Sequence, residues 1–302
     1  MMKKCPICKS EKNSFFFQKK NFSYFTYPMK DNSKNKLLKK YSKRLYMNAI
    51  FNNCKNCGHI FLKSSPSSEI LDILYKKHYV YFSADKQKKF SLPLKENFFL
   101  QQIKKIKLNN RKTLEIGCND GFLLNELKKR NYDVTGVEPG SSAIIAKKNG
   151  LRVIKNYFSP NIFKKNNEKF DLIICRHLLE HIKNCDAFIK SLKIVMQNNA
   201  TLAIEVPNVA HYIKKKSSET FFLQHYHYFS IFSLEKLFNQ NKMKIFKSVN
   251  SEGDIIIFAK ESIEKSKKNS LSFWKKKTSK FHKEMKIKSS KIENFFKKNI
   301  NK

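Results

Sequence analysis

Leu114-Glu115-Ile116-Gly117-Cys118-Asn119-Asp120-Gly121-Phe122-Leu123-Leu124 joins a short apolar run, a turn holding two glycines and the opening of a helical pattern. Thr113 to Ile116 is a β-type segment and the helix starts directly after Gly121, which is the strand, turn and helix order of a nucleotide-binding unit. Glycine lets the chain turn sharply and bares backbone N–H groups to a ligand, while the new helix aims its positive N-terminus at the same spot. A small polar ligand fits there. Because a glycine pair after a strand is also an ordinary tight turn, the neighbouring residues decide between the two.

Those neighbours are acidic. The turn carries Glu115 and Asp120 and no lysine or arginine, which disfavours a phosphate and suits a ligand with amine, hydroxyl and positively charged groups; S-adenosylmethionine is such a ligand. Roughly twenty residues on, Asp133 to Val137 forms a second strand pattern ending at Glu138, where a carboxylate accepts hydrogen bonds from a ribose diol. Glu115, Gly117, Asn119, Asp120 and Gly121 are therefore expected around the methionine and ribose portions, with Glu138 on the ribose hydroxyls.

Downstream the pattern alternates: a helix over Ser141 to Asn149, strands near Arg152 to Ile154 and over Phe170 to Cys175, a helix over Asp186 to Gln197, and a strand from Thr201 to Val206 closed by Pro207. Ser233 to Gln240 is expected as a helix, and Lys244 to Val249 with Asp254 to Ala259 as an antiparallel pair around Glu252-Gly253. This alternation predicts an α/β fold, a Rossmann-like sheet of seven strands, mostly parallel with the last strand antiparallel. Ligands of such sheets gather at the carboxyl ends of the strands. Two histidine clusters fall there: Arg176-His177-Leu178-Leu179-Glu180-His181 and Gln224-His225-Tyr226-His227-Tyr228-Phe229-Ser230. Histidine titrates near neutrality and is the usual general base. His225 and His177 are expected to face the cleft, whereas His181 and His227 also suit local capping or packing.

Upstream, Cys5-Pro6-Ile7-Cys8 and Cys54-Lys55-Asn56-Cys57-Gly58-His59 are two CxxC knuckles. Each places two thiolates on one side of a metal, and together Cys5, Cys8, Cys54 and Cys57 complete a tetrahedral zinc site with no open position, hence a structural one. His59 is expected at the surface or just behind the ligands. The aromatic stretch Phe15 to Tyr27 is read as the small unit's core. Glu69 to Lys77 is expected as a helix, and Lys86 to Lys107 as another, broken near Pro93. The chain divides into 1–85, a zinc-binding and acceptor-recognition unit; 86–262, the sheet domain; and 263–302, a lysine-rich amphipathic tail suited to a membrane surface or an acidic partner.

The formal charge of the 302 residues is +38. Nearly all of it is lysine, the arginines being Arg44, Arg111, Arg130, Arg152 and Arg176, and Asn, Ile and Phe are in excess as well. That joint excess is what an A+T-rich coding sequence produces, so the charge is not taken as a nucleic-acid footprint. The N-terminus, Met1-Met2-Lys3-Lys4-Cys5-Pro6, has no apolar signal core, and seven cysteines with two CxxC units point to metal ligation rather than disulfides; a cytoplasmic protein is expected.

These residues resemble the class I S-adenosylmethionine-dependent methyltransferases, and within them the group with an N-terminal zinc-binding domain that includes deoxysugar C-methyltransferases. The resemblance rests on the paired CxxC units, Tyr79-Val80-Tyr81-Phe82-Ser83, Gly117-Cys118-Asn119-Asp120-Gly121, Gly136-Val137-Glu138-Pro139, and His225 followed by Tyr228-Phe229-Ser230, and covers residues 5–260. It implies methyl transfer to a sugar-like acceptor, with His225 as base, His177 second, and Tyr79 and Tyr81 closing over the acceptor. The sugar C-methyltransferases carry Tyr-His-Glu-His where this chain has Phe222-Leu223-Gln224-His225, and they continue into a C-terminal domain that the resemblance does not reach. Without that tyrosine and glutamate a hydroxyl is an easier nucleophile than a carbon, so O-methylation is expected ahead of C-methylation. The competing classes are an RNA or protein methyltransferase using the basic surface and a binding protein without catalysis.

Overall fold

The computed structural model describes residues 3–24, 45–78, 92–215, 217 and 220–262. Tyr79, Tyr81 and the lysine-rich segment 263–302 lie outside them. Strands β1 (Asn13–Ser23), β2 (Tyr46–Cys54) and β3 (Ile60–Leu62) pair antiparallel in that order. Five more, β4 (Lys112–Ile116), β5 (Asp133–Val137), β6 (Arg152–Ile154), β7 (Phe170–Arg176) and β8 (Met196–Pro207), are parallel to one another. The two-residue β9 (His227–Tyr228) pairs back onto β3 and completes the small sheet as β1-β2-β3-β9. With β10 (Met243–Asn250) and β11 (Asp254–Glu261) the large sheet has the expected seven strands, ordered β10-β11-β8-β7-β4-β5-β6, and β11 alone runs antiparallel to both neighbours.

The order reverses at β4: β5 and β6 lie on one side, β7 and β8 on the other. In open sheets of this kind ligands bind outside the carboxyl ends of the strands at the reversal, which here are the ends of β4 and β7. Leu172, Ile173, Ile174 and Cys175 of β7 are wholly buried, as expected of a parallel strand covered on both faces. Among the described residues the helices are α1 (Ser68–Ile73), continued by a π-helical turn over Leu74–His78, α2 (Leu92–Lys104), α3 (Phe122–Lys128), α4 (Ser142–Lys148), α5 (Asn161–Lys164), α6 (Cys185–Ile194), α7 (Val209–Lys215) and α8 (Ile231–Gln240). None is long and apolar enough to cross a membrane.

The two sheets share their interior. Cys5, Ile7, Cys54, Cys57 and Phe61 belong to the same apolar cluster as Ile116, Leu179 and Leu234 of the large sheet and its helices. A second cluster joins Phe17, Leu45 and Phe51 to Phe221 and Tyr228, with the Phe17 and Phe51 rings stacked at 4.3 Å. Phe16, Phe17 and Tyr24 of the aromatic stretch are thus core, while Phe15 is exposed and residues 25–27 lie outside the described residues.

One boundary is corrected, and two other expectations are narrowed. The helix expected over Asp186 to Gln197 ends at Ile194, and β8 begins at Met196 rather than Thr201. Gln197, Asn198 and Asn199 are exposed and polar, the pairing with β7 slips between Phe170 and Leu172, and no apolar alternation marks the extension. Of the helix expected over Lys86 to Lys107, the described part is α2, Leu92–Lys104; Pro93 sits in its first turn, where its missing N–H has no intrahelical partner to lose, and residues 86–91 lie outside the described residues. Of the two places expected for His59, burial excludes the surface and leaves the position behind the ligands.

Candidate active site and cysteine quartet

Gly117 and Gly121 take left-handed backbone angles, φ +76° and +80°. At Gly121 an added β-carbon would stand 2.4 Å from Leu151 Cδ1 and 3.0 Å from Ala146 Cβ, so the close packing of α3 on α4 requires glycine. At Gly117 the nearest neighbour of such a carbon is Leu178 Cδ1 at 3.7 Å, which sets this turn beside the loop after β7. Asn119, also left-handed at φ +51°, donates its backbone N–H to Glu138 Oε2 at 3.1 Å, and Gly140 donates to Oε1 at 2.7 Å. Two main-chain donors thus fix the Glu138 carboxylate at the end of β5, although burial raises its pKa above the usual range. Asp120 Oδ1 accepts the Phe122 N–H at 3.3 Å and so shapes the start of α3, while Glu115 is buried within β4. The arrangement suits a cofactor with hydroxyl and ammonium groups and offers no cation to a phosphate.

Beyond β7 the chain turns through His177 (φ +46°) into a short 3-10 turn, Leu179–His181. His177 Nδ1 lies 3.8 Å from Glu180 Oε1, and its Nε2 lies 3.8 Å from Glu205 Oε2 at the end of β8. Glu205 is held by Arg176, whose Nε donates to Oε2 at 2.5 Å and whose guanidinium lies over the Phe99 ring at 4.5 Å. His177, Glu205 and Asp254 form one group of facing ligand atoms, and Glu180, His181 and His225 form another. His225 does not face the cleft openly as expected. It is 6% exposed, and its Nδ1 lies 3.0 Å from the Thr220 carbonyl oxygen. His181 Nδ1 lies 3.1 Å from the Gln224 carbonyl oxygen and 2.9 Å from Tyr75 Oη. Burial holds His181 neutral, its pKa down at about 4, pushes His225 well below the imidazole range, and drives Glu180 well above the carboxyl range.

The four knuckle cysteines meet although 46 residues separate Cys8 from Cys54. Cys5 and Cys57 Sγ are 3.7 Å apart, and Cys8 and Cys54 Sγ 3.5 Å. Zn–S bonds of about 2.3 Å in a tetrahedron set sulfurs about 3.8 Å apart, so the quartet has the spacing of a closed zinc centre. Hydrogen bonding within it raises the Cys5 and Cys57 thiols and lowers those of Cys8 and Cys54. His59, two residues on, donates from Nε2 to His227 Nδ1 at 3.0 Å, and His227 Nε2 donates to the Ile182 carbonyl at 3.0 Å. The tautomers follow from that carbonyl, which can only accept. A buried imidazole pair therefore links the cysteine unit to the segment carrying Glu180 and His181.

The structure gathers Gly117, Asn119, Gly121 and Glu138 into one loop system and brings His177 and His225 to the same sheet edge. Sequence reasoning passed over Glu180, Glu205, Asp254 and Tyr75. A signal was present for Glu180 and Glu205: both are acidic residues at or just after the carboxyl end of an otherwise apolar strand. Elsewhere, a hollow of about 670 Å³ lined by Lys112, Arg152, Glu168 and Asp171 lies at the amino ends of the strands, where the chemistry of this sheet does not sit.

A family model described as a methyltransferase domain matches residues 76–245. Curated relatives include the ubiquinone biosynthesis O-methyltransferase of Pelagibacter ubique, 31% identical over 106 residues, covering 33% of this chain and 44% of that protein. The enzyme of the same name from Rickettsia prowazekii is 31% identical over 117 residues (35% and 46%), and that from Coxiella burnetii 35% identical over 110 (32% and 46%). The matches span less than half the length of these relatives. Among solved structures, a Thermotoga maritima S-adenosylmethionine-dependent methyltransferase described as a possible histamine N-methyltransferase aligns with a TM-score of 0.46 at 17% identity, over 60% of this chain and 96% of that one. The magnesium protoporphyrin IX methyltransferase of Synechocystis PCC 6803 aligns at 0.45 with 16% identity, over 65% and 95%.

Proposed function

Because the chain belongs to this methyltransferase-domain family and is an S-adenosylmethionine-dependent methyltransferase, we propose that it methylates a hydroxyl oxygen of a small, sugar-like acceptor. The observation that carries the reading is His177: a partly exposed imidazole at the carboxyl end of β7, beside the Gly117 turn and facing two buried carboxylates. Bound S-adenosylmethionine supplies an electrophilic sulfonium methyl group. Glu138, Asn119 and the turn at Gly117 to Gly121 hold that cofactor. His177 accepts the acceptor's hydroxyl proton, and the Glu205 carboxylate, 3.8 Å from its Nε2, stabilises the imidazolium that forms.

Oxygen is favoured over carbon because Gln224, where the sugar C-methyltransferases have glutamate, is spent on structure: its Nε2 donates to the Tyr24 carbonyl at 3.0 Å. A neutral imidazole is base enough for a hydroxyl. The ubiquinone biosynthesis relatives, named as O-methyltransferases, support the same atom, and the sugar-like class rests on the motifs around residues 79–83 and 225–230. Cys5, Cys8, Cys54 and Cys57 hold a structural zinc ion that ties the small sheet to the large one.

The test is methyl transfer from labelled S-adenosylmethionine to a panel of nucleotide sugars and hydroxylated small molecules, with the methylated atom located by mass spectrometry and NMR. An O-methyl product is expected, and His177→Ala should lower kcat by about 10²–10⁴ while leaving cofactor affinity within a few-fold. Methyl found on carbon or nitrogen, or kcat unchanged in the variant, contradicts the proposal.

A further inference from the structure

Glu180 is 1% exposed, and its Oε2 has no hydrogen-bond partner among the described residues. A buried, uncompensated carboxylate is expensive, and such a group is ordinarily protonated, paired or bound to a metal. A proton alone does not resolve it: a carboxylic acid also needs an acceptor, and His181 Nε2 stands 4.0 Å from Oε1, beyond hydrogen-bond reach. The groups around it are two imidazoles. His225 Nδ1 faces the Thr220 carbonyl, which can only accept, so Nδ1 carries the hydrogen and Nε2 presents a bare lone pair. His181 Nδ1 lies between the Gln224 carbonyl at 3.1 Å and the Tyr75 hydroxyl at 2.9 Å, and in the tautomer that donates to the carbonyl its Nε2 is bare as well. One ligand atom from each of Glu180, His181 and His225 lies within 4.8 Å of the other two.

We propose that Glu180, His181 and His225 form a second metal site, separate from the cysteine quartet, for a first-row divalent cation of the manganese, iron, cobalt or zinc class. The site has its own supports. The Gln224 and Thr220 carbonyls aim the two rings, the usual office of groups one shell behind a metal. Bonds of about 2.0–2.2 Å to nitrogen and oxygen set neighbouring ligand atoms about 3.0–3.6 Å apart, so closure asks the side chains to draw together by up to about an ångström from their present spacing. Two imidazoles and one carboxylate select a transition cation over magnesium or calcium, which prefer all-oxygen sites. Three protein ligands leave coordination positions open, and His177 Nδ1 lies 3.8 Å from Glu180 Oε1 at the same edge.

This inference deepens the hydroxyl-methylation reading and rests on it for its purpose. A cation here draws electron density from an acceptor hydroxyl, so that its proton passes to His177 more readily. It also reassigns His225: from a general base, as the sequence suggests, to a ligand.

The experiment uses the full chain with its cysteine site loaded with zinc and loosely held metal removed. Manganese(II) is titrated in and the free ion followed by electron paramagnetic resonance, since the thiolate site, already filled with zinc, takes manganese poorly, whereas a carboxylate and two imidazoles bind it, though less tightly than the later ions of the row. One manganese per chain is expected, weakened at least tenfold in Glu180→Gln and in His225→Asn, with zinc content and S-adenosylmethionine affinity retained as evidence of folding. Cobalt(II) added to the same zinc-loaded protein should give weak visible bands without thiolate charge-transfer absorption. No manganese bound by the wild-type chain, or equal binding by both variants, overturns the site. Binding is read apart from turnover: a site that binds metal in a protein methylating no hydroxyl defeats the functional reading alone, and hydroxyl methylation by a chain that binds no manganese defeats this inference alone.

Discussion

Substituting Gly121→Ala should destabilise the protein through two separable effects, and Gly117→Ala through one of them. Both glycines have left-handed backbone angles, which cost a residue bearing a β-carbon about 1–2 kcal/mol. At Gly117 the added carbon meets nothing nearer than 3.7 Å, so that is the whole expected loss. At Gly121 it would stand 2.4 Å from Leu151 Cδ1 and 3.0 Å from Ala146 Cβ. Leu151 is buried and cannot swing into solvent, and the Ala146 methyl moves only if α4 moves with it. Overpacking of this kind adds about 1–3 kcal/mol, for a total of about 2–5 kcal/mol, a large part of the 5–15 kcal/mol typical of a folded domain. Urea unfolding followed by circular dichroism gives both losses from the shift in midpoint at constant slope. Equal losses for the two variants, or a larger one at Gly117, would refute the packing argument for Gly121.

Other consequences can be checked with equal directness. Arg152 first, and Lys112 with it, hold the Glu168 carboxyl down at about 2 from an ordinary 4.5. A depressed folded-state pKa gives stability that is complete above about pH 4.5 and lost as pH falls toward 2, so Glu168→Gln should be less stable than wild type at pH 6 and match it near pH 2.5. Because Arg152 is half exposed, the gap at pH 6 should be about 1 kcal/mol or less, and a gap that does not shrink with acid would contradict the assignment. Cys54→Ser should take bound zinc, measured by elemental analysis, from one ion per chain to none, and should lower the thermal midpoint because Cys54 packs in the core shared with Ile116. Zinc retained at full stoichiometry would count against the quartet.

Much of this molecule is legible in the chain because its signals are local. The run Leu114 to Leu124 specifies strand, turn and helix with only its own residues, and Glu138 announces itself as the acid ending the second strand. The CxxC pairs are legible for a different reason: thiolate spacing is a chemical requirement, whatever lies between. What escaped depends on contacts remote in sequence. His225 and His227 stand in an alternating polar and aromatic stretch that looks half exposed, yet both are buried, His227 where β9 pairs with β3. No pattern near residue 227 can announce a partner at residue 60. Glu180 was passed over because a glutamate between leucine and histidine is ordinarily a surface residue. The start of β8 is hidden by Gln197-Asn198-Asn199, whose polarity reports exposure at the sheet's margin and says nothing of strand geometry.

The account stands first on the claim that the loop from Gly117 to Gly121, closed by Glu138, is the cofactor site. Isothermal titration of S-adenosylmethionine into the purified full chain, repeated with Glu138→Ala, tests it most directly. The substitution removes the carboxylate that Asn119 and Gly140 hold in place, and with it the acceptor for the ribose hydroxyls. Charge-assisted hydrogen bonds contribute about 1.5–3 kcal/mol each, so the account predicts binding by the wild-type chain and an affinity at least tenfold weaker in the variant. Equal affinity in the two folded proteins, or no binding by the wild type, would contradict it.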